Sequence, residues 1–301
     1  MSAPLVFTGP PDGIIPAAEA TNNPLTVNAL GAGDEAEVLA FLARRPLHTV
    51  VMAGFIRDNG LESRLNRGRF YGCRGREGRL EGVALLGHAT LMEARSEAGL
   101  EAFGRLARAM PRPHVIMGEQ EVVARFWRCY AGGRAAAPRL SCRELLMEQR
   151  SPDPHRTAVA DLRPATPDDL AGVMEVQARM AFEECGVNPL QVDPAGFRER
   201  CRRRVEKGRV WVVARAGRLV FKADIIAETP EVVYLEGVHV AHDSRGEGLG
   251  LDCLSQLGRT LLTRADSVCL MVNELSLATQ QFYRRVGYEF RCYYDTVYPA
   301  E

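Results

Sequence analysis

The stretch from Tyr234 to Gly250, YLEGVHVAHDSRGEGLG, followed by LDCLSQLGRTLLTRA, constrains this chain more than any other. It reads as a β-rich run, a glycine-rich turn and an amphipathic helix with Leu251, Leu254, Leu257 and Leu261 in its apolar pattern. A strand that enters a helix through glycines brings free backbone N–H groups and a helix N-terminus to one point. The aligned peptide dipoles there amount to roughly half a positive charge, which suits a pyrophosphate. Arg245, Gly248 and Gly250 form Arg-x-x-Gly-x-Gly, and Gly246 adds another position without a side chain. Glycines take φ > 0 and let phosphate oxygens approach closely.

Context, more than the pattern, identifies the turn. Arg79 to Ala84 fits the looser Arg-x-x-Gly-x-Ala, yet it opens the strand RLEGVALLGHA where a phosphate turn would follow one. No Gly-Lys-Ser/Thr follows Gly250, so the turn lacks the grip of a nucleotide-hydrolysing loop on a β,γ-phosphate and Mg²⁺. The Gly-x-Gly-x-x-Gly order of a dinucleotide fold is absent from it as well.

The chain has 301 residues, enough for two domains of about 150 each. Its formal net charge is +0, so no global field argues for nucleic acid or an anionic membrane as partner. No apolar run approaches the roughly 18 residues of a membrane span. The start, MSAPLVFTGPPDGIIPAAEATNNP, has neither the basic opening nor the apolar core of an export signal. It reads as a Pro-rich tail over 1–24. The eight cysteines form no Cys-x-x-Cys pair and no zinc-ligand spacing with histidine. They read as reduced thiols, so a cytoplasmic protein without structural disulfides or metal is expected.

The segment Gln149 to Thr157, QRSPDPHRT, is nearly free of apolar residues and reads as a linker between halves at 25–148 and 158–301. In the second half, a short strand is expected at Ala158–Leu162. A helix follows, with Thr166 as N-cap, Pro167 in first position and Asp169 closing a capping box. A second helix starts at Asp193-Pro194 and stops before Gly208. Strands are expected near Val210–Arg215, Leu219–Ile226 and Val232–Val240, the first two joined by a tight turn through Ala216 and Gly217. After the phosphate turn and its helix come strand Ser267–Val272, helix Ser276–Val286 and a β-rich finish at Tyr288–Tyr298. The first half repeats this rhythm, which suggests an internal duplication. Where the second half has its phosphate turn, the first has ATLMEARSEAG, too bulky and acidic for pyrophosphate.

The second half, from about Val159 to Val297, resembles the GNAT acetyltransferase superfamily. The residues that carry the resemblance are VHVAHDSRGEGLG and VNELSLATQQFYRRVGYEF, in which Tyr283-Arg-Arg-Val-Gly287-Tyr288 is similar to that superfamily's helix ending. LVFKADI resembles bacterial two-domain members whose N-terminal half is a degenerate GNAT domain. The chain departs from the pattern at His242, Ser276 and Thr279, where Pro, Asn and Ala are usual. The resemblance implies an α/β (α+β) fold of two tandem domains, each a mixed, mostly antiparallel sheet flanked by helices. The first half would lack the cofactor and the second would be catalytic.

The resemblance further implies that acetyl-CoA enters a cleft where two neighbouring strands splay apart. Its pyrophosphate would meet Arg245, Gly246, Glu247, Gly248, Leu249 and Gly250, and its pantetheine the strand end Val238, His239 and Val240. Asn273 and Ser276 would serve the cofactor from the facing strand and helix, Asn273 binding either backbone or cofactor. An amine, small molecule or peptide, would attack the thioester directly. Tyr283, two helical turns beyond Ser276, is the candidate general acid. Glu236 is the candidate general base, on the face of Val238 if the strand alternates without a bulge. His239 is a rival base, with an ordinary pKa in the useful range. Glu183 and Glu184, placed in a loop, are either contacts for a cationic acceptor or solvated surface. The rival functional reading is a non-catalytic acyl-CoA-binding sensor or interaction protein.

Overall fold

A computed structural model describes residues 25–132, 137–153 and 155–300. The proposed tail at 1–24 lies outside the described residues. In the first half, Thr26–Ala29 (β1) precedes helices Glu35–Leu42 (α1) and Pro46–Asn59 (α2). Strands Gly68–Arg74 (β2), Leu80–Gly87 (β3) and Ala89–Ala94 (β4) follow. Helix Glu97–Arg108 (α3), strand Val115–Glu119 (β5), helix Gln120–Ala131 (α4) and strand Leu140–Gln149 (β6) complete it.

The second half repeats the order. Arg163–Pro164 (β7) leads to Leu170–Cys185 (α5), the short Pro189–Val192 (α6) and Pro194–Glu206 (α7). Strands Val210–Arg215 (β8), Arg218–Glu228 (β9) and Val232–Val240 (β10) follow. Helix Leu249–Leu261 (α8), strand Ser267–Asn273 (β11), helix Leu277–Arg284 (α9) and strand Glu289–Tyr298 (β12) end the chain. Local chemistry explains several boundaries. The Thr166 amide donates to Asp169 at 2.7 Å in the expected capping box. Ala216 and Gly217 both take positive φ in the β8–β9 turn, as a two-residue hairpin of that twist requires.

Two expectations need correction. Ala158–Leu162 is not a strand. The only strand there is the dipeptide Arg163–Pro164, because Pro164 has no N–H to offer a ladder. Glu183 and Glu184 belong to the last turn of α5, not to a loop.

The twelve strands of the described residues form one sheet, ordered β1-β2-β3-β4-β5-β12-β6-β11-β10-β9-β8-β7. Among the described residues only β4–β5 and β10–β11 are parallel. The order shows a reciprocal exchange. The last strand of the first half, β6, pairs with β11, and the last strand of the second half, β12, pairs with β5. The two exchanged strands pair with each other along the centre, from Glu289 opposite Glu148 to Tyr298 opposite Leu140. Gln149, at the end of β6, is fully buried and its amide donates to the Val286 carbonyl of the second half.

The cores are shared in the same way. Leu145 and Met147 of β6 lie in a cluster with α8 and α9 residues such as Leu254, Leu257 and Tyr283. Val50 of α2 packs with Tyr234, Cys269 and Tyr294 of the second half. Gly54 lets α2 come close to β9, since a Cβ there would sit 2.7 Å from that of Ala227. Asp58 of α2 pairs with Arg209, and with Lys207 at 3.4 Å.

Because each half's sheet contains a strand of the other, the halves should unfold together. Trp127 reports on the first half and Trp211 on the second. Single-tryptophan variants (Trp127→Phe, Trp211→Phe) should give coincident urea transitions by fluorescence. Two separated midpoints would contradict this coupling.

Candidate functional site

Strands β10 and β11 are hydrogen-bonded only from Val232–Ser267 to Leu235–Leu270. Beyond that point each keeps its outer neighbour and they part: β10 stays on β9 as far as Val240, and β11 stays on β6 as far as Asn273. The cause is local to β10. Glu236 faces Asp224 and the next pair is His239 with Lys222, so β10 carries an extra residue there. Gly237 at its centre has φ +59, the left-handed conformation of a glycine bulge. Such a bulge bends the strand and leaves the opposite side of β10 without a partner.

The bulge also settles which side chains share a face. Plain alternation would place Glu236 with Val238. The structure instead places Glu236 with His239, opposite Asp224 and Lys222, and packs Val238 and Val240 against the α8 core. The expected pairing of Glu236 with Val238 is therefore overturned by one inserted residue.

At the end of β10, His242–Ser244 form a short turn and α8 begins at Leu249. Gly246 and Gly248 have φ +87 and +86. Gly248 is the N-cap and brings no side chain to the first-turn amides, which therefore remain available to an outside acceptor. Among the described residues, the amides of Gly246, Glu247 and Gly248 have no hydrogen-bond partner. Arg245 turns back on the strand, its Nε donating to the Val240 carbonyl at 3.0 Å. Leu249 and Leu251 are buried in the core and Gly250 lies against Val240 and Phe282, so the turn sits on a rigid base. An open cavity of about 650 Å³ adjoins it, with Arg179, Arg218, His239 and Arg245 among its walls. Glycine geometry, free donors and nearby cations fit a pyrophosphate.

Three carboxylates gather at the inner end of the cleft: Glu236 on β10, Glu184 on α5 and Glu144 on β6. Tyr234 donates to Glu236 at 2.7 Å, and Thr296 donates to Glu144 at 2.5 Å. Glu236 and Glu184 are both exposed side chains, yet neighbouring protein crowds them and strips part of their hydration. That partial desolvation raises the Glu236 carboxyl above the ordinary range, against the Tyr234 hydrogen bond and the Arg204 charge. Burial, with help from Glu236 and Glu144, pushes Glu184 up to about 7. Glu144 is raised by burial as well, opposed by the Thr296 hydrogen bond. A site of this kind favours a cationic guest and holds carboxyls that accept protons more readily than free ones.

His239 behaves differently. Burial, then Arg179, Arg245 and Lys222, brings it down to about 4, so it is neutral and weakly basic at neutral pH. Tyr283 is 7% exposed, edge-on to Phe282 and Tyr288 at 5.3 and 5.7 Å. Burial raises its hydroxyl, which stays protonated. That hydroxyl has no hydrogen-bond partner among the described residues, and unlike the Tyr288 hydroxyl it is not sealed from solvent.

Asn273 caps the exit of β11, its Oδ1 accepting from the Leu275 amide at 2.8 Å. Ser276 occupies the N-cap position of α9 without its side chain forming the cap. Sequence reasoning missed Glu144, because β6 was not recognised as a strand and belongs to the other half's sequence. It also missed Lys222 and Asp224, whose signal is visible in retrospect: two opposite charges two apart in the apolar run LVFKADIIA.

The corresponding place in the first half is closed. There β4 runs into α3 within two residues, and Ser96 caps that helix itself, accepting from the Gly99 amide at 3.3 Å. An outside acceptor would have to displace the Ser96 hydroxyl to reach that amide.

No family model matches the chain, and no curated protein matches it in sequence. Solved structures do. A tandem GNAT protein from the clavulanic acid biosynthesis pathway aligns at TM-score 0.56 and 17% identity, over 92% of this chain and 100% of that one. A GNAT-family acetyltransferase from Colwellia psychrerythraea aligns at TM-score 0.55 and 12% identity, over 92% and 100%. A Drosophila protein aligns at TM-score 0.64 and 10% identity, over 91% and 98%. At such identities the likeness is one of fold, and the chain has a tandem GNAT fold.

The titrating groups give stability a pH dependence of known sign. His239 falls from an ordinary 6.5 to about 4 in the fold. Its contribution is complete above about pH 6.5 and is lost as pH falls towards 4. Glu184 rises from 4.5 to about 7, so its contribution is present below 4.5 and lost as pH rises through 7. His239→Gln should therefore flatten the acid-side loss of the urea midpoint. Glu184→Gln should become more stable relative to its parent as pH rises. Parallel pH profiles for parent and variants would refute both assignments.

Proposed function

We propose that this protein is an acyl-CoA-dependent N-acyltransferase that moves an acyl group, acetyl first, onto an amine by direct attack in a ternary complex. The observation that carries this reading is the parting of β10 from β11 beyond Leu235 and Leu270, with uncapped amides of a helix N-terminus at the end of β10. A thioester donor with a pyrophosphate and an extended amide-bearing arm needs those two features together. In this reading Gly246 to Gly250 hold the pyrophosphate, and Val238 to Val240 present strand backbone to the arm. Acetyl-CoA, when bound, supplies the acyl group as a thioester.

The chain's own residues then have three tasks. Glu144, Glu184 and Glu236 draw in a cationic amine, either a small molecule or a peptide, and concentrate it beside the cleft. Glu236 takes the ammonium proton, a role favoured by a proton affinity above that of a free glutamate. Tyr283, protonated and with a hydroxyl that has no hydrogen-bond partner among the described residues, gives a proton to the sulfur as the carbon–sulfur bond breaks. His239, down at about 4, is too weak a base to compete for the ammonium proton. Holding both reactants in one cleft accounts for much of the rate such a site can reach.

The test begins with calorimetry of acetyl-CoA and CoA on the full-length protein, where micromolar binding is expected. Gly248→Glu puts a bulky anion where φ is +86 and where this reading puts the phosphate, so binding should be lost while the circular dichroism spectrum is kept. Tyr283→Phe should lower kcat by roughly 10- to 100-fold with CoA affinity unchanged. Absence of binding to the folded parent would remove the acyl-CoA reading. Binding without turnover across a panel of amines would leave a binding-only protein.

A further inference from the structure

Strand β9 is apolar along most of its length, yet it carries Lys222 and Asp224, 0% and 1% exposed. Isolated charges do not persist in such a place, because water is not there to stabilise them. They persist here through a closed set of partners. The Lys222 ammonium lies 2.8 Å from Asp224 Oδ1, in the geometry of an ion pair more than of a directed hydrogen bond. It donates to Gln177 Oε1 of α5 at 2.7 Å. Its third contact, the loosest at 3.4 Å, is the carbonyl of Gly237, the residue that makes the bulge in β10. A Cβ on Gly237 would lie 2.9 Å from Nζ, so the bulge rests directly on the ammonium. Asp224 is held from its other side by Arg204 of α7 at 2.8 Å.

The charges of this group do not cancel by themselves. Lys222, Arg204 and Asp224 sum to one positive charge, and Glu236, directly opposite Asp224 in the ladder, is the anion that completes it. The remaining groups facing Glu236 are Tyr234 on its own strand, Glu184 of α5 and Glu144 of β6. His239 shares the face and is neutral above about pH 4.

We propose that Lys222 is a positioning residue for the acyl-transfer site: its ammonium props the Gly237 bulge that parts β10 from β11, and supplies the charge that balances the Glu236 carboxylate. The inference rests on the functional reading above only for the meaning of the cleft. The network, the bulge and the carboxylate stand on geometry. One buried side chain thereby serves both the backbone that meets the donor and the carboxylate that meets the amine. A merely structural ion pair has no reason to link the two.

The charge half of the proposal is tested without any substrate. In full-length protein labelled with 13C at glutamate carboxyls, the Glu236 signal is the one missing from Glu236→Gln. Its titration midpoint should rise by roughly 1 pH unit in Lys222→Met and fall in Asp224→Asn, which leaves an extra positive charge. The double variant Lys222→Met/Asp224→Asn restores a balanced Arg204–Glu236 pair, so its midpoint should return close to the parent's. Midpoints that stay put, or move the same way in both single variants, would overturn this half. Should Lys222→Met fail to fold, Asp224→Asn and the double variant still decide it.

The bulge half is read by acetyl-CoA affinity in the same samples. Both variants lacking Lys222 should bind about tenfold more weakly, including the double variant whose midpoint has recovered, while Asp224→Asn keeps its affinity. Unchanged affinity in Lys222→Met would overturn the bulge role. If the parent itself does not bind acetyl-CoA, the functional reading fails and the NMR titration still judges Lys222.

Discussion

The antiparallel pairing of β6 with β12 at the centre of the sheet is the interaction on which the rest of the molecule depends. Each strand belongs by sequence to one half and by hydrogen bonds to the other, β6 lying on β11 and β12 lying on β5. Removing either would expose a full row of N–H and C=O groups in the middle of a sheet, a cost no surface loop could offset. Among the described residues the exchange also leaves edges only at β1 and β7, four and two residues long. Pro164 on β7 and the shortness of both make those edges poor templates for further pairing.

That exchange has a direct chemical consequence. It carries Glu144 from the first half into the cleft of the second, opposite Asn273 in the ladder. In return it carries Tyr294 into the first half, where its hydroxyl meets His48 Nδ1 at 3.0 Å. The first half also has a diverging parallel pair, since β4 and β5 are joined only at Ala89–Val115 and Thr90–Ile116. Its divergence is filled: Arg45 ties Glu93 to Glu119 across it at 3.1 and 2.5 Å. Side chains of α2 and β12 leave a cavity of only about 30 Å³ behind. One fold motif, used twice, thus gives one open cleft and one packed shut.

In the open cleft, backbone and charge are set by the same few residues. The Gly237 bulge decides which side chains join Glu236, and the buried Lys222–Asp224 pair, held by the half-buried Arg204, lies beneath that bulge. Lys222 and Asp224, kept so far from water, are poor stabilisers in general, and they stand in the ladder beside Glu236 and His239. The carboxylates in turn owe their raised proton affinity to partial desolvation by their neighbours and to nearby carboxylates.

Much was legible in the chain itself. The glycine turn, the strands Val210–Arg215 and Val232–Val240, and the Thr166 capping box follow from local patterns: φ > 0 positions, alternation and a cap three residues from its acid. These depend on neighbours in sequence, so sequence alone determined them, together with the doubled rhythm of elements. The tertiary structure alone decided that β6 and β12 change places, that Glu144 stands beside Glu236, and that a single extra residue puts Glu236 with His239 instead of Val238. No local pattern records a pairing between residues some 150 positions apart, and a one-residue bulge reverses parity without altering the apolar content of its strand. Strand partners are chosen by the global burial of backbone groups, and that choice is made only when the whole sheet closes.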